Sequence, residues 1–278
     1  MLQKCDICCI IALLYDKFVL FEVKMYILAI DTTAKISSVC LAQNVSERLV
    51  PVAQFDVNCG NTHSETVLPM INDALTVSKV DISEVSAFAV TSGPGSFTGV
   101  RIGVSTIKGL AFGLKNDVPC VPVSTLYALA KNVAGYGDDV IVCPLMDARR
   151  EQFYNALFVI SDTKLERLCD DRVITADELT RQLSEEYADK KIVICGDGAY
   201  LYNSLYTKYI NEVSPHIVLA QAGNMLQNAF SVASAAFEII SEPDFDLKAY
   251  DSAKLFPTYL RLSQAERELN EKKIQAEA

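Results

Sequence analysis

The most constraining stretch of this chain is Ser92-Gly93-Pro94-Gly95-Ser96-Phe97-Thr98-Gly99-Val100-Arg101. It follows the apolar run Ala87-Phe88-Ala89-Val90 and leads into a helical pattern from about Thr98 to Gly113. A short apolar strand that ends in a glycine loop and opens a helix is an α/β unit with its strand inside a sheet. Glycine permits positive φ and close backbone approach, and the free amides at a helix start attract anions. Two readings follow: a phosphate cradle built on Gly93 and Gly95, or a tight strand-to-helix connection. The Gly-Lys-Ser/Thr ending of a Walker loop is missing, and the spacing is not GxGxxG.

The helix behind the loop is rich in small residues. Ser105, Gly109 and Gly113 are four apart and share a face, while Gly99 and Gly103 form a second patch. Glycine inside a helix costs about 1 kcal/mol relative to alanine, so a compensating close contact is expected. The pattern alone does not say whether the contact is internal or with a partner chain.

Around this unit the first half reads βββαβαβα. Tyr26–Ile30 is a continuous apolar strand ending in the polar turn Asp31-Thr32-Thr33, and strands over Ser37–Gln43 and Val50–Asp56 complete an antiparallel meander. Thr62 and Glu65 have capping-box spacing ahead of the stripe Val67, Leu68, Ile71 and Leu75. Pro69 within that stripe implies either a kink or a later helix start. Strand Pro119–Val123 and a helix capped by Ser124 close this half.

After the turn-rich Gly135–Asp139, the second half restarts with a strand over Val140–Met146, the turn Asp147-Ala148-Arg149-Arg150 and a strand over Phe153–Ile160. A helix near Ala176–Glu186, a strand over Ile192–Cys195, a turn at Gly196-Asp197-Gly198 with a helix from about Ala199, and a long Ala-rich helix over Asn224–Ile240 follow. Both halves open strand, polar turn, strand, which hints at an internal duplication. The expected units are residues 25–134 and 135–262, with the helix over 224–240 free to pack back on the first. Residues 1–24 read as an extension and 263–278 as a charged tail, either a frayed helix or disordered.

With 278 residues, 50% of them hydrophobic, the chain can bury a large core. Its net charge of -10 disfavours gripping nucleic acid on its own. Arg149-Arg150 is the conspicuous basic doublet outside the lysine-rich stretches. Nine cysteines, odd in number and irregularly spaced in apolar runs, read as reduced core residues of a cytoplasmic protein. Cys5-x-x-Cys8 has no second pair at zinc-site spacing. The apolar run Ile7–Leu14 is too short to span a membrane, which takes about 20 residues.

Candidate chemistry is sparse. Asp31-Thr32-Thr33 suits a magnesium-bound phosphate or a plain hairpin end. His63 beside Glu65 suits a base or a ligand, yet the chain has two histidines, His63 and His216, too far apart for an HxxH or HxxxH metal face. Asp147-Ala148-Arg149-Arg150 suits phosphate or, better, a structural ion pair. No G-x-S-x-G elbow supports a catalytic serine.

Taken together, these stretches resemble the TsaB (YeaZ) family over about residues 25–265. The matching pieces are Ile30–Thr33, His63–Glu65, Leu68–Ile71, Thr91–Gly103 with Lys108–Ala111, Val121–Ser124, Asp147–Arg150, Gly196–Ala199 and Pro257–Arg261. The resemblance implies an α/β, actin-like ATPase fold of two related domains with mixed sheets. It implies a non-catalytic scaffold and activator of TsaD, the subunit that transfers threonylcarbamoyl to adenosine 37 of tRNAs reading ANN codons, with the ATPase TsaE joining them. It further implies no cofactor for the isolated chain, ATP and magnesium being used by the partners, a homodimer when alone, and tRNA reached through the complex. The partner face implied by the family lies on the helices after His63 and after Gly99: His63, Glu65, Val67, Leu68, Ile71, Gly99, Gly103, Ser105, Thr106, Gly109 and Gly113. Asp31, Thr32, Thr33, Gly93 and Gly95 become a vestigial phosphate loop. The competing readings are an actin-fold small-molecule kinase, motivated by Asp31, Thr32 and the glycine loop, and a glycoprotease-like peptidase.

Overall fold

The computed structural model describes residues 24–60, 62–114, 117–162, 164–204 and 216–261. The expected tail over 263–278 and all of the expected extension except Lys24 lie outside these residues, as does Cys5-x-x-Cys8.

The first half is a five-stranded sheet sandwiched between helices. Strands β1 (Tyr26–Asp31), β2 (Ser37–Val45) and β3 (Arg48–Val57) form an antiparallel meander. Helix α1 (His63–Ser78) then crosses to β4 (Val85–Gly93), parallel to β1, and α2 (Phe97–Phe112) crosses to β5 (Cys120–Ser124), parallel to β4. The strand order is β3-β2-β1-β4-β5. A short helix α3 (Thr125–Lys131), capped by the Ser124 hydroxyl, leads out.

Strand alternation explains the two cores. Leu28 and Ile30 of β1 face one way and meet Val67, Met70 and Ile71 of α1 and Val100, Val104 and Ile107 of α2. Ile27 and Ala29 face the other way. That side is small, with Cys40, Ala42, Ala87 and Ala89, and it receives Ala229, Val232, Ala233 and Ala236 of a helix from the far end of the chain. Small residues on both surfaces let helix and sheet approach closely.

The second half repeats the plan. Strands β6 (Val140–Asp147), β7 (Gln152–Asn155), β8 (Phe158–Ser161), β9 (Lys164–Arg167) and β10 (Arg172–Thr175) precede α4 (Ala176–Glu186), β11 (Lys191–Cys195), a helical stretch over 198–204 and β12 (Ile217–Leu219). The main path is β10-β7-β6-β11-β12, with β8 and β9 as an added hairpin on β6. Antiparallel pairings lead outward on one side, from β6 to β7 and from β7 to β10, and parallel pairings on the other, from β6 to β11 and from β11 to β12. This is the arrangement around β1, so the duplication hinted at by the sequence is present as topology.

Several expectations are corrected. Pro69 sits within one continuous helix, so the later start is ruled out; the helix begins at His63 behind Thr62, whose amide and hydroxyl both donate to Glu65 Oε2, at 3.2 and 2.8 Å. The single strand expected over Phe153–Ile160 is two. Pro144 of β6 has no N–H to offer a partner, so pairing stops between the Val142 and Leu145 rungs. Buried Asn155 fills the gap, donating to Pro144 O at 3.2 Å and Ala156 O at 2.9 Å. Strands β9 and β10 were not anticipated. The long helix over Asn224–Ile240 is instead α5 (Ala222–Met225) and α6 (Ala229–Ile240). Asn228 separates them, its side-chain oxygen accepting from the amides of Phe230 and Ser231 as an N-cap. Helix α6 is the one that covers the alanine side of the first sheet.

Candidate functional site

The glycine loop closes against the end of β1. Ser96 N donates to Thr33 O at 2.8 Å, and the Thr32 hydroxyl donates to Gly99 O at 2.7 Å. A Cβ at Gly99 would lie 1.9 Å from Thr32 O, one at Gly103 2.6 Å from the Thr32 hydroxyl, and one at Gly95 2.6 Å from Thr33 O. These glycines exist because β1 and α2 touch backbone to backbone. The Ser96 hydroxyl already accepts from Gly99 N at 3.3 Å at the helix start.

Asp31 is fully buried at this junction. Its Oδ1 accepts from the amide and hydroxyl of Thr33, at 2.8 and 2.6 Å. Burial pushes its carboxyl above the ordinary range, and the Thr33 bonds only partly offset this. With Asp31, Thr32 and Thr33 all buried, this corner is a packed joint.

His63 is also turned inward. Its Nε2 lies 2.7 Å from Ala34 O, which only accepts, so Nε2 carries hydrogen, and its Nδ1 lies 2.6 Å from the Ser37 hydroxyl. His63 thus ties the first turn of α1 to the β1–β2 connection.

The expected partner residues therefore divide. Val67, Ile71, Gly99 and Gly103 are buried inside the fold, Glu65 caps its helix, and His63 holds a loop. Burial leaves Val67, Ile71, Gly99 and Gly103 little surface of their own, whereas Glu65 is exposed and His63 half-buried. Leu68, Ser105, Gly109 and Gly113 are exposed and Thr106 is half-exposed. Leu68 is 54% exposed and Phe112 90%. A Cβ at Gly109 would meet nothing within 4 Å. Between α1 and α2 runs a cleft of about 630 Å³ lined by Leu68, Ile71, Leu75, Ile82 and Leu110.

A C-terminal strap borders α2 on the other side. Phe97 and Tyr259 stack at 4.4 Å, Arg101 Nε donates to the Tyr259 hydroxyl at 2.7 Å, and Lys108 Nζ donates to Leu255 O at 3.1 Å while lying 4.7 Å from the Phe256 ring. Thr258 N donates to Ser92 O at 2.7 Å. Leu255 enters the first-half core and Leu260 packs on the second. Neither Phe112 nor the strap was singled out as belonging to this face by the small-residue pattern, because that pattern selects only the floor between them.

The second half holds a matching joint. Gly196 has φ +97, and a Cβ there would lie 2.1 Å from Leu145 O. Beside it, burial and then the neighbouring Asp147 carboxylate raise Asp197 to about 6. Among the described residues, no group of three or more His, Cys, Asp or Glu is placed to hold a metal ion, and no helix is long and apolar enough to cross a membrane.

The two halves share one five-strand path, and in each a glycine turn, after β4 or after β11, lies against the central strand or its end, which defines an α/β protein of two related halves. A family model described as TsaD, tRNA N6-adenosine threonylcarbamoyltransferase, matches residues 58–271. The Bacillus subtilis (strain 168) tRNA threonylcarbamoyladenosine biosynthesis protein TsaB is 30% identical over 242 residues, spanning 87% of this chain and 96% of that one. The protein of the same description from Haemophilus influenzae is 30% identical over 212 residues, 73% and 84% of the two chains. The solved structure described as YeaZ from Pseudomonas aeruginosa superposes with a TM-score of 0.66 at 24% identity, covering 85% of this chain and all of that one, and shows the shared fold. The chain belongs to the TsaB (YeaZ) family.

Proposed function

We propose that this chain is a non-catalytic subunit in the formation of threonylcarbamoyladenosine on tRNA, pairing with the transferase TsaD through the outward face of α1 and α2 and serving as the scaffold to which TsaE is recruited. Gly109 carries the reading. Gly99 and Gly103 are explained by β1, whereas Gly109 has open space around it and no internal reason to lack a side chain. Its floor is flanked by exposed Leu68 and Phe112, as a face waiting for another helix pair would be. The match to the TsaD family model supports a partner of like fold presenting a like face, and a second copy of this chain would use the same surface when alone. The packed joint at Thr32, Thr33 and Gly99 supports a subunit without a nucleotide of its own, ATP and magnesium serving its partners. Cytoplasmic location follows from that role.

The test is co-purification with the same organism's TsaD and a tRNA modification assay with and without this chain. Gly109→Leu is expected to weaken TsaD binding at least tenfold while circular dichroism stays native. Unchanged binding would remove the face from the interface. Micromolar binding of Mg-ATP to the isolated chain, measured by calorimetry, would favour the kinase reading instead.

A further inference from the structure

The loop after β6 is built in an unusual way. Arg149, Arg150 and Glu151 are three successive non-glycine residues with positive φ, at 67°, 57° and 57°. Each such residue is strained for an L side chain, and such strain persists only where the surroundings impose it. Here they do: Arg149 N donates to Asp147 Oδ1 at 2.7 Å, Ala148 N to Gln152 O at 2.9 Å, and Arg261 Nη1 to Ala148 O at 2.6 Å. The last bond brings a third guanidinium to the same turn.

The side chains of Arg149 and Arg150 are left outside. The Arg149 side chain is 82% exposed, with a loose 3.5 Å approach to Asp147 Oδ2. Arg150 is exposed and has no hydrogen-bond or ion-pair partner among the described residues. The nearby acids are Asp147, already engaged by the Arg149 amide, the mostly buried Asp197, and exposed Glu151.

We infer that Arg149 and Arg150, on a turn braced by Arg261, are a direct contact for the phosphate backbone of RNA. A guanidinium presents a planar fork that matches phosphate oxygens. In a chain of net charge -10 a polyanion can be admitted only at such a local cluster. This rests on the tRNA-modification reading and goes beyond it, because RNA is then touched by this chain and not through its partners alone.

The experiment titrates fluorescently labelled, unmodified tRNA with the full chain assembled with TsaD, between 50 and 200 mM KCl. Arg149→Gln/Arg150→Gln is expected to weaken binding at least tenfold at the lower salt. It should also lower the log–log salt slope by roughly 1.4–1.8, about 0.7–0.9 for each lost phosphate contact. Arg149→Lys/Arg150→Lys should keep most of the slope. Unchanged affinity and slope overturn the inference, as does unchanged tRNA binding accompanied by weaker TsaD binding, which would assign the arginines to a protein carboxylate. If wild type does not assemble with TsaD, the subunit reading fails separately. The arginines are then judged by ultraviolet cross-linking of isolated wild type and double glutamine variant to the same tRNA at low salt: loss of the adduct supports the contact and its retention overturns it.

Discussion

The hydroxyl of Thr32 donates to the carbonyl of Gly99 at 2.7 Å, and the carbonyl of Thr32 stands where a Gly99 Cβ would be. The end of β1 and the first turn of α2 thus share one contact surface with no space for a methyl group. Gly99→Ala must push the two backbones away from each other and is expected to cost at least about 3 kcal/mol, read as a lower urea midpoint. A loss under about 1 kcal/mol would mean the joint is looser than described.

Gly109 gives the opposite sign. With nothing within 4 Å of its Cβ position, Gly109→Ala should stabilise the isolated chain by about 0.5–1 kcal/mol through helix propensity. The same change should weaken association with the partner. Thermal unfolding and a binding titration on one preparation would separate the two effects.

His63 and Ser37 should behave as a coupled pair. Their 2.6 Å bond and the bond from His63 to Ala34 O anchor α1. His63→Ala and Ser37→Ala are each expected to cost about 1–2 kcal/mol, and the double variant less than their sum. Strict additivity would contradict the geometry.

Asp197 sets a pH dependence. With its carboxyl raised to about 6 from an ordinary 3.8, the folded chain keeps a proton that the unfolded chain releases between those values. This group's contribution to stability is therefore full below about pH 4, falls as pH rises through 6, and is flat above. Asp197→Asn should gain roughly 1–3 kcal/mol over wild type at pH 8 and nothing at pH 3.5. Parallel stability curves for the two proteins would show that burial does not act on Asp197 as described.

Much of this was legible in the sequence because local signals agreed with the fold. The βββαβαβα order of the first half, the Thr62–Glu65 cap and the span Ala176–Glu186 all follow from periodicity and capping. The second half was less legible where tertiary contacts decide. One missing N–H at Pro144 splits β7 from β8, and one Asn228 side chain divides α5 from α6. The glycines show the limit most clearly. Spacing placed Gly99, Gly103 and Gly109 on a helix needing close contact, but only the position of Thr32 tells the two internal ones from the outward one. The strap was visible as Pro257–Arg261 without any sign that Tyr259 stacks on Phe97, 162 positions earlier by subtraction of their numbers.

The place of α6 has a consequence for synthesis. The alanine side of the first sheet is complete when β5 and α3 have been made, yet its cover, Ala229–Ile240, comes almost a hundred residues later. At about 5–20 residues per second the ribosome needs on the order of 5–20 s to supply it. Throughout that interval Ile27, Ala29, Ala87 and Val121 lack the helix that buries them. A nascent chain paused within the second half therefore carries an open apolar sheet face, and that interval is when holding chaperones have a surface to grip.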